Sequence, residues 1–392
     1  MKIGGYMPEI RKVMLLIETS CAYGRELLLG IGKYSTIHGP WMFYKGPPHY
    51  AEGSEKKKVV SRLMKWANGA IIREPKNDKL LTLGVPVIVS PNVIEQMPNL
   101  PVIVTDCAAA GRIAAEHLLD HGFRQFAYCG FDDMPWSRGR GENFCKRITE
   151  AGFETHVYER SLSEIERFFD KEQIRLADWL KSLPKPVGLM TCNDDRSQQV
   201  VDACIIAGLH VPEEVAIVGV DNDELICNLS SPPLSSIPLN AQRAGCEAAE
   251  LLDKLMAGEK MAGQRIIDRP THVVTRQSTD ILATEDRDVR QAVRFIRQHV
   301  KEVIQVADVV DAVGLSRRSL ERRFRRAFGR SVHGEIRRVH VEYISRMLVE
   351  TKLPISQIAS TLGHRSAKHV ARYFQQEKRM SPSAYRRRFG HK

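Results

Sequence analysis

The hydrophobic period of this chain changes once, near residue 280, and that change limits what it can fold into. From residue 13 to about 280, short β-rich runs alternate with stretches of helical period. The strand-like runs fall at 13–18, 70–72, 85–89, 102–105, 125–129, 187–191 and 216–219; the helical ones start at 25, run over 108–121 and 140–151, and fill the stretch up to 207. Such alternation predicts βαβ units, that is, a parallel sheet covered by helices. About ten strands are more than one sheet usually carries, so the body reads as two α/β lobes. Two lobes leave a cleft, and open α/β sheets bind ligands at the carboxyl ends of their strands. A polar junction at 280–286 reads as a linker. Beyond it every apolar pattern is helical, over 289–300, 306–313, 317–328, 335–350, 355–362 and 367–377. The expected organisation is a short extension (1–12), a two-lobed α/β body (13–279), the linker, and an all-α domain (287–390).

The charge follows the same boundary. Of 58 Lys+Arg and 47 Asp+Glu in 392 residues, 25 and 11 lie from Glu285 onward, net +14, which leaves the body at −3. A basic module joined to a near-neutral body is what polyanion binding requires, because each cation placed near a phosphate releases counterions. A solvated basic helix bundle accounts for the charge equally well, so spacing has to decide. No run reaches the ~18 to 20 apolar residues of a membrane helix, and 13–17 lacks the length and cleavage site of a signal peptide, so a cytoplasmic protein is expected. All eight cysteines precede residue 250 and none forms a Cys-x-x-Cys pair, the pattern of reduced thiols.

The basic domain holds one unit twice. A short apolar helix ends at Gly314, Ser316 stands where it can cap the next helix, and Leu320, Phe324 and Phe328 recur at four-residue spacing. That spacing turns them to a core and leaves Arg317, Arg318, Glu321, Arg322 and Arg325 outside. An arginine-loaded second helix suits the major groove, where guanidinium forks pair with guanine. The unit recurs 49 residues on, at Gly363, with Lys368, His369 and Arg372 outward and Val370, Tyr373 and Phe374 inward. The two helix-turn-helix units span 306–328 and 355–377; a helix between them can set them about one DNA turn, roughly 34 Å, apart. At Gly314-Leu315-Ser316-x-x-x-Leu320-x-x-x-Phe324, Ile355-x-x-Ile358-Ala359, Gly363, Arg372-x-Phe374 and Ser381-Pro382-x-x-Tyr385-Arg386 this region resembles the AraC/XylS family of transcription regulators. The resemblance implies base contact by Arg318, Glu321 and Arg322, with Arg317 beside them, and by Ala367, Lys368, His369 and Arg372. Four positions depart from the pattern: His364 and Val370 replace the family's usual aromatics, and Lys378-Arg379 its Phe-Gly. They bear on how tightly the second unit docks.

In the body, the run from Asp106 to Phe123, Cys192-Asn193-Asp194, Val218-Gly219-Val220-Asp221-Asn222, Pro233-Leu234-Ser235-Ser236-Ile237 and Thr275-Arg276-Gln277-Ser278-Thr279 resemble the LacI/GalR-type sensor, a relative of periplasmic sugar-binding proteins. Only twelve residues precede the first strand, fewer than that family's DNA-binding headpiece, so the tail is expected to read DNA. A sugar asks for carboxylate, amide or guanidinium groups at strand ends and an aromatic against its apolar face. Tyr23, Arg25, Arg140, Asn193, Asp194, Asp221 and Asn222 answer that description. Joined in this order, the two resemblances imply a sugar-responsive transcription activator. Its effector would be a monosaccharide, D-xylose by resemblance. Its partners would be an operator in double-stranded DNA, a second copy of the chain and RNA polymerase, with no membrane and no cofactor.

Other signals weigh less. His117 and His121 have i, i+4 spacing but no third metal ligand. The run Arg138-Gly139-Arg140-Gly141 is not a phosphate loop, and Gly30-x-Gly32 falls inside a helical stretch. No Gly-x-Ser-x-Gly elbow is present, so no catalytic group is expected. A repressor, a sensor of another sugar, and a sugar-processing enzyme with a basic tail remain the alternatives.

Overall fold

Runs of apolar residues become central strands of two parallel sheets in a computed structural model. It describes residues 10–45, 66–73, 84–91, 99–261, 263–284, 286–363 and 367–390, without the side chain of His369. The described residues form two units. The first holds the chain up to Asp106 together with Met134–Trp136 and Leu239–Arg269, and the second holds the rest.

The first unit opens with β1 (Arg11–Leu16), which takes in the last two residues of the expected extension, and continues through α1 (Ala22–His38), β2 (Trp41–Lys45), β3 (Gly69–Ile72), β4 (Val87–Val89) and β5 (Val102–Thr105). The second unit follows with α2 (Cys107–Asp120), β6 (Gln125–Phe131), α3 (Pro135–Glu150), β7 (Thr155–Arg160), α4 (Leu162–Arg167), α5 (Phe169–Ser182), β8 (Val187–Thr191), α6 (Asp194–Ala207), β9 (Val215–Asp221), α7 (Glu224–Leu229) and β10 (Ser235–Pro238). The chain then returns to the first unit for α8 (Ala241–Met256) and β11 (Arg265–Asp268).

The sheet orders are β11-β5-β4-β3-β1-β2 and β10-β9-β8-β6-β7, with every pairing parallel. In each sheet the strand order reverses beside its first strand, β1 or β6. At such reversals a crevice opens outside the carboxyl ends of the strands. The central strands β3, β4 and β8 are buried along their whole length, as sheets covered on both faces require. Gly30 and Gly245 let the backbones of α1 and α8 touch: a Cβ on Gly30 would lie 1.9 Å from the Gln242 carbonyl oxygen, and one on Gly245 2.2 Å from that of Leu27. Of the Gly30-x-Gly32 pair, Gly30 thus serves helix packing, while Gly32 faces open space.

An ion pair lies inside the second unit. Arg196 of α6 is fully buried and its Nη2 donates to Glu172 Oε1 of α5 at 3.0 Å. The Tyr158 hydroxyl donates to the other Glu172 oxygen at 3.2 Å, and Arg196 Nη1 donates to Gln199 at 2.6 Å. Of the cysteines, none forms a disulfide, and burial pushes Cys192 and Cys204 up to about 12.

The helical domain comprises α9 (Arg287–Gln298), α10 (Val306–Val313), α11 (Arg317–Phe328), α12 (Val332–Glu350), α13 (Ile355–Thr361), α14 (Ala367–Lys378) and α15 (Pro382–Phe389). Its apolar residues form two cores. The front half of α12 closes one around Val293, Leu320 and Phe324, and its rear half closes the other around Ile358, Val370 and Phe374. Nineteen residues make α12 about 28 Å long. The segment read as a linker is tied down: Ala283 donates its N–H to the His121 carbonyl at 2.9 Å and Leu282 packs on the first core. Among the described residues, no helix is long and apolar enough to cross a membrane.

Candidate functional site

In the first unit, polar groups gather at the carboxyl ends of β1, β3 and β4. Tyr23 is buried at the start of α1 and its hydroxyl shares a hydrogen bond of 3.2 Å with Ser90 Oγ, just past β4. Arg73, just past β3, sets its guanidinium 4.5 Å from the centre of the Tyr23 ring, donates to Ser90 Oγ at 3.2 Å and pairs with Glu18 at 2.9 Å. Arg25 sits two residues further along α1 and donates to the carbonyls of Thr19 and Ser20, holding the loop that leaves β1. Sequence reasoning named Tyr23 and Arg25 in this group and did not name Glu18, Arg73 or Ser90. The available signal was a polar residue directly after an apolar strand.

In the second unit, Arg140 of α3 is 3 % exposed. Its Nη2 lies 3.4 Å from Asp221 Oδ1, and Nη1 donates to the Cys192 carbonyl just past β8. Burial opposes the charge on Arg140, and Asp221 together with Cys107, Cys192 and Tyr128 outweighs it, so its pKa is raised. Asp221 ends β9 with φ of 106° and Asn222 follows it with φ of 50°. Consecutive side-chain-bearing residues in that region cost of order 1–3 kcal/mol each and mark places where geometry outranks local comfort. The turn is held from behind. The Asn222 N–H donates to Ser236 Oγ at 3.0 Å, Ser236 Oγ donates to Asp194 Oδ1 at 2.5 Å, and the Asp223 N–H donates to Asp194 Oδ2 at 2.7 Å.

Asp194, expected to accept sugar hydroxyls, is 1 % exposed with both oxygens engaged in that turn. Burial, and then Asp221 nearby, hold its pKa well above the usual carboxylate range. Asn193 caps α6, its Oδ1 accepting the Arg196 N–H at 3.0 Å. Both residues form the framework that carries Asp221 and Asn222. The Asn222 Oδ1 atom is buried and has no hydrogen-bond partner among the described residues.

The helical domain sorts its residues as the spacing predicts. Gly314 ends α10 with φ 74°, Ser316 Oγ accepts the Ser319 N–H at 3.3 Å, and Leu320 and Phe324 are fully buried. Arg317, Arg318, Arg322 and Arg325 are exposed on α11. Two residues differ from expectation. Glu321 is half-buried and accepts the Val332 N–H at 3.4 Å, so it also braces the start of α12. Phe328 is half-buried and its ring lies tilted against Phe324 at 5.3 Å between centres. On α14, Lys368 and Arg372 are exposed, Ala367 and Tyr373 half-buried, and Val370 and Phe374 fully buried. His364 and the His369 side chain lie outside the described residues. The Ser381–Arg386 motif proves to be structural: Ser381 caps α15, Tyr385 is buried, and Arg386 donates to the carbonyls of Leu348 and Leu353.

Arg379 follows α14 with φ 51°. An L-residue in this left-handed conformation loses about 1 kcal/mol or more, whereas glycine adopts it freely. Arg379→Gly is therefore expected to stabilise the second core by roughly 0.5–1 kcal/mol, read as a higher urea midpoint at unchanged slope. A lower midpoint would mean that the arginine side chain outweighs the backbone cost.

The rings of His117 and His121 lie tilted at 4.2 Å between centres, and both have other partners than a metal. Nε2 of His117 lies 2.9 Å from Thr279 Oγ1, and Nε2 of His121 lies 2.9 Å from Arg297 Nη2. Burial, then Arg297, depress His117 to about 3. Among the described residues no group of three or more His, Cys, Asp or Glu could hold a metal ion.

Comparison with known proteins agrees with this geometry. Residues 115–279 match the periplasmic binding protein-like domain and residues 309–388 a helix-turn-helix domain. The xylose operon regulatory protein of Escherichia coli K12 is 30% identical over 386 residues, covering 96% of this chain and 96% of that protein. Its counterpart from Haemophilus influenzae is 30% identical over 385 residues, covering 96% and 98%. A solved structure of the xylose-binding transcription activator xylR superposes with a TM-score of 0.61 at 28% identity, covering 98% of this chain and 100% of that one.

Proposed function

The chain belongs to the family of the xylose operon regulatory proteins, and from that premise we propose that it is a D-xylose-dependent activator of xylose catabolism genes. It is a DNA-binding transcription regulator and not an enzyme, so the reading as a sugar-processing protein with a basic tail is dropped. Its effector is a monosaccharide. To the proposal belong D-xylose as that monosaccharide, a homodimer, activation through RNA polymerase, and the division into sensor (13–279), linker (280–286) and DNA-binding domain (287–390).

The observation that carries the sugar reading is the Arg140–Asp221 pair on its positive-φ turn. A guanidinium has five N–H donors and a carboxylate about four acceptor sites, so the two can bind vicinal hydroxyls while remaining bonded to each other. Asn222 adds an amide, and Tyr23, Arg25 and Arg73 are proposed as sugar contacts in their own right. The sugar acts by binding one conformation of the protein better than the other, which is the only way a ligand shifts an equilibrium. The test is the affinity for a labelled duplex carrying the promoter beside the chain's own gene. D-xylose is expected to change it about five- to hundredfold; an affinity that no sugar alters would refute the proposal.

For DNA, the readers are Arg317, Arg318, Glu321 and Arg322 on α11 and Lys368, His369 and Arg372 on α14. Arg322→Ala is expected to cost about 1–3 kcal/mol at one base position, as loss of a guanidinium fork does. Lys368→Ala, taken as a phosphate contact, should weaken all duplexes alike and reduce the salt slope by about 0.9. Sugar affinity should stay put in both, and unchanged DNA binding in both would move the readers elsewhere.

A further inference from the structure

Within the second unit the DNA-binding helices dock on the sensor fold through reciprocal helix caps. Arg124, in the turn after α2, donates to the Ala327 carbonyl in the last turn of α11 at 3.1 Å. Beside it Gly122, with φ 85°, leaves room for the Phe328 ring, which a Cβ would approach to 2.9 Å. In return Arg330, between α11 and α12, donates to Asp120 Oδ1 at 2.9 Å and to the Asp120 carbonyl at 2.8 Å, and Arg338 of α12 donates to Asp120 Oδ2 at 3.2 Å. Fully buried Glu335 bonds both arginines, at 2.6 Å and 2.9 Å.

Asp120 is the last residue of α2, where the helix dipole disfavours an acid. Its charge therefore does nothing for α2 itself: burial raises its pKa, and Arg338 and Arg330 of the DNA-binding domain oppose that rise. A cavity of about 550 Å³ lies beside the joint, lined by Glu116, Thr271, Tyr343 and Arg346 among others. A polar, partly hollow contact between domains allows relative motion unless specific ties prevent it.

The other end of α2 packs on the helix that carries Arg140. A Cβ on Gly111 would lie 2.5 Å from the Arg140 carbonyl oxygen, and one on Gly139 3.2 Å from Cys107 Cβ. The fourteen residues of α2 span about 21 Å as one rigid element. We propose that α2 is the link that carries the sugar response from the Arg140 segment to the first DNA-reading helix, with the Asp120–Arg330–Arg338–Glu335 cluster as its joint. The inference rests on the sugar-sensor reading above.

Hydrogen–deuterium exchange on the full chain, with and without D-xylose, tests it in the wild type, Asp120→Asn and Arg124→Ala, alongside titration calorimetry. Without sugar, amides in the last turn of α11 and the first turn of α12 should exchange about tenfold faster in Asp120→Asn than in the wild type. Both variants should bind D-xylose within about twofold of wild type, because neither residue is a proposed sugar contact. D-xylose should alter exchange in α11 of the wild type and leave both variants unaltered. Equal sugar-free exchange in all three proteins would overturn the joint, and a wild-type response in the variants would overturn the link. A wild type that takes up no sugar in the calorimeter overturns the sensor reading and the link with it, while the sugar-free comparison still decides whether the joint holds α11.

Discussion

Asp221→Ala is expected to abolish the sugar response while leaving DNA binding intact. The carboxylate pairs with Arg140 at 3.4 Å and stands on the turn that Asp194 and Ser236 hold in place. A hydrogen bond to a charged group contributes about 1.5–3 kcal/mol, so removing a carboxylate that accepts two hydroxyls should weaken sugar binding by about 3 kcal/mol or more, over a hundredfold. The variant also strips a buried guanidinium of an anion, which costs stability. Asp221→Asn separates the two effects: it keeps an acceptor near Arg140 and should recover much of the stability but little of the affinity. DNA binding should survive because α9 to α15 have cores of their own. Calorimetry with the effector sugar, followed by duplex titration, reads both. A retained response would remove Asp221 from the site.

Glu172→Ala is expected to be the most destabilising single change in the second unit, by about 3–5 kcal/mol. Glu172 is 3 % exposed and bonds the guanidinium of Arg196, which has no exposure at all. Removing the acid strands that charge between α6 and β6, and also takes the acceptor from the Tyr158 hydroxyl. Trp179 lies 5.0 Å from the Tyr158 ring, so its fluorescence reports the loss directly. The paired replacement Glu172→Leu with Arg196→Met should cost far less than the single change, because no charge is left buried. A single change costing under about 1 kcal/mol would mean that water reaches the pair.

Every strand named from the sequence lies inside a sheet, and the four missed as strands are the four edges. β2 and β7 carry Trp41-Met42-Phe43-Tyr44-Lys45 and Thr155-His156-Val157-Tyr158-Glu159-Arg160, with much of each exposed, while β10 and β11 are four residues long. Central strands are covered on both faces and so read as apolar runs; β2 and β7 meet water and lose that signal, while β10 is buried but short and opens on two serines. The reading helices were legible because one-sided burial at four-residue spacing writes Leu320 and Phe324 into the sequence directly. Harder to see were groups assembled from separate strand ends. Tyr23, Arg73 and Ser90 are separated by 50 and 17 positions and meet only when β1, β3 and β4 lie side by side. Arg196 and Glu172 belong to the same class, as does the Asp120 joint, whose partners lie more than 200 residues away. Asp194 shows the opposite limit: an acid at a strand end reads as a ligand until the structure places both its oxygens in the turn behind one.

The central claim is that this body binds D-xylose, and titration calorimetry of the wild-type protein against D-xylose, L-arabinose, D-ribose, D-glucose and D-galactose tests it most directly. The account predicts saturable heat with D-xylose and markedly weaker binding of the other four. Silence with D-xylose, whether or not another sugar binds, would contradict it.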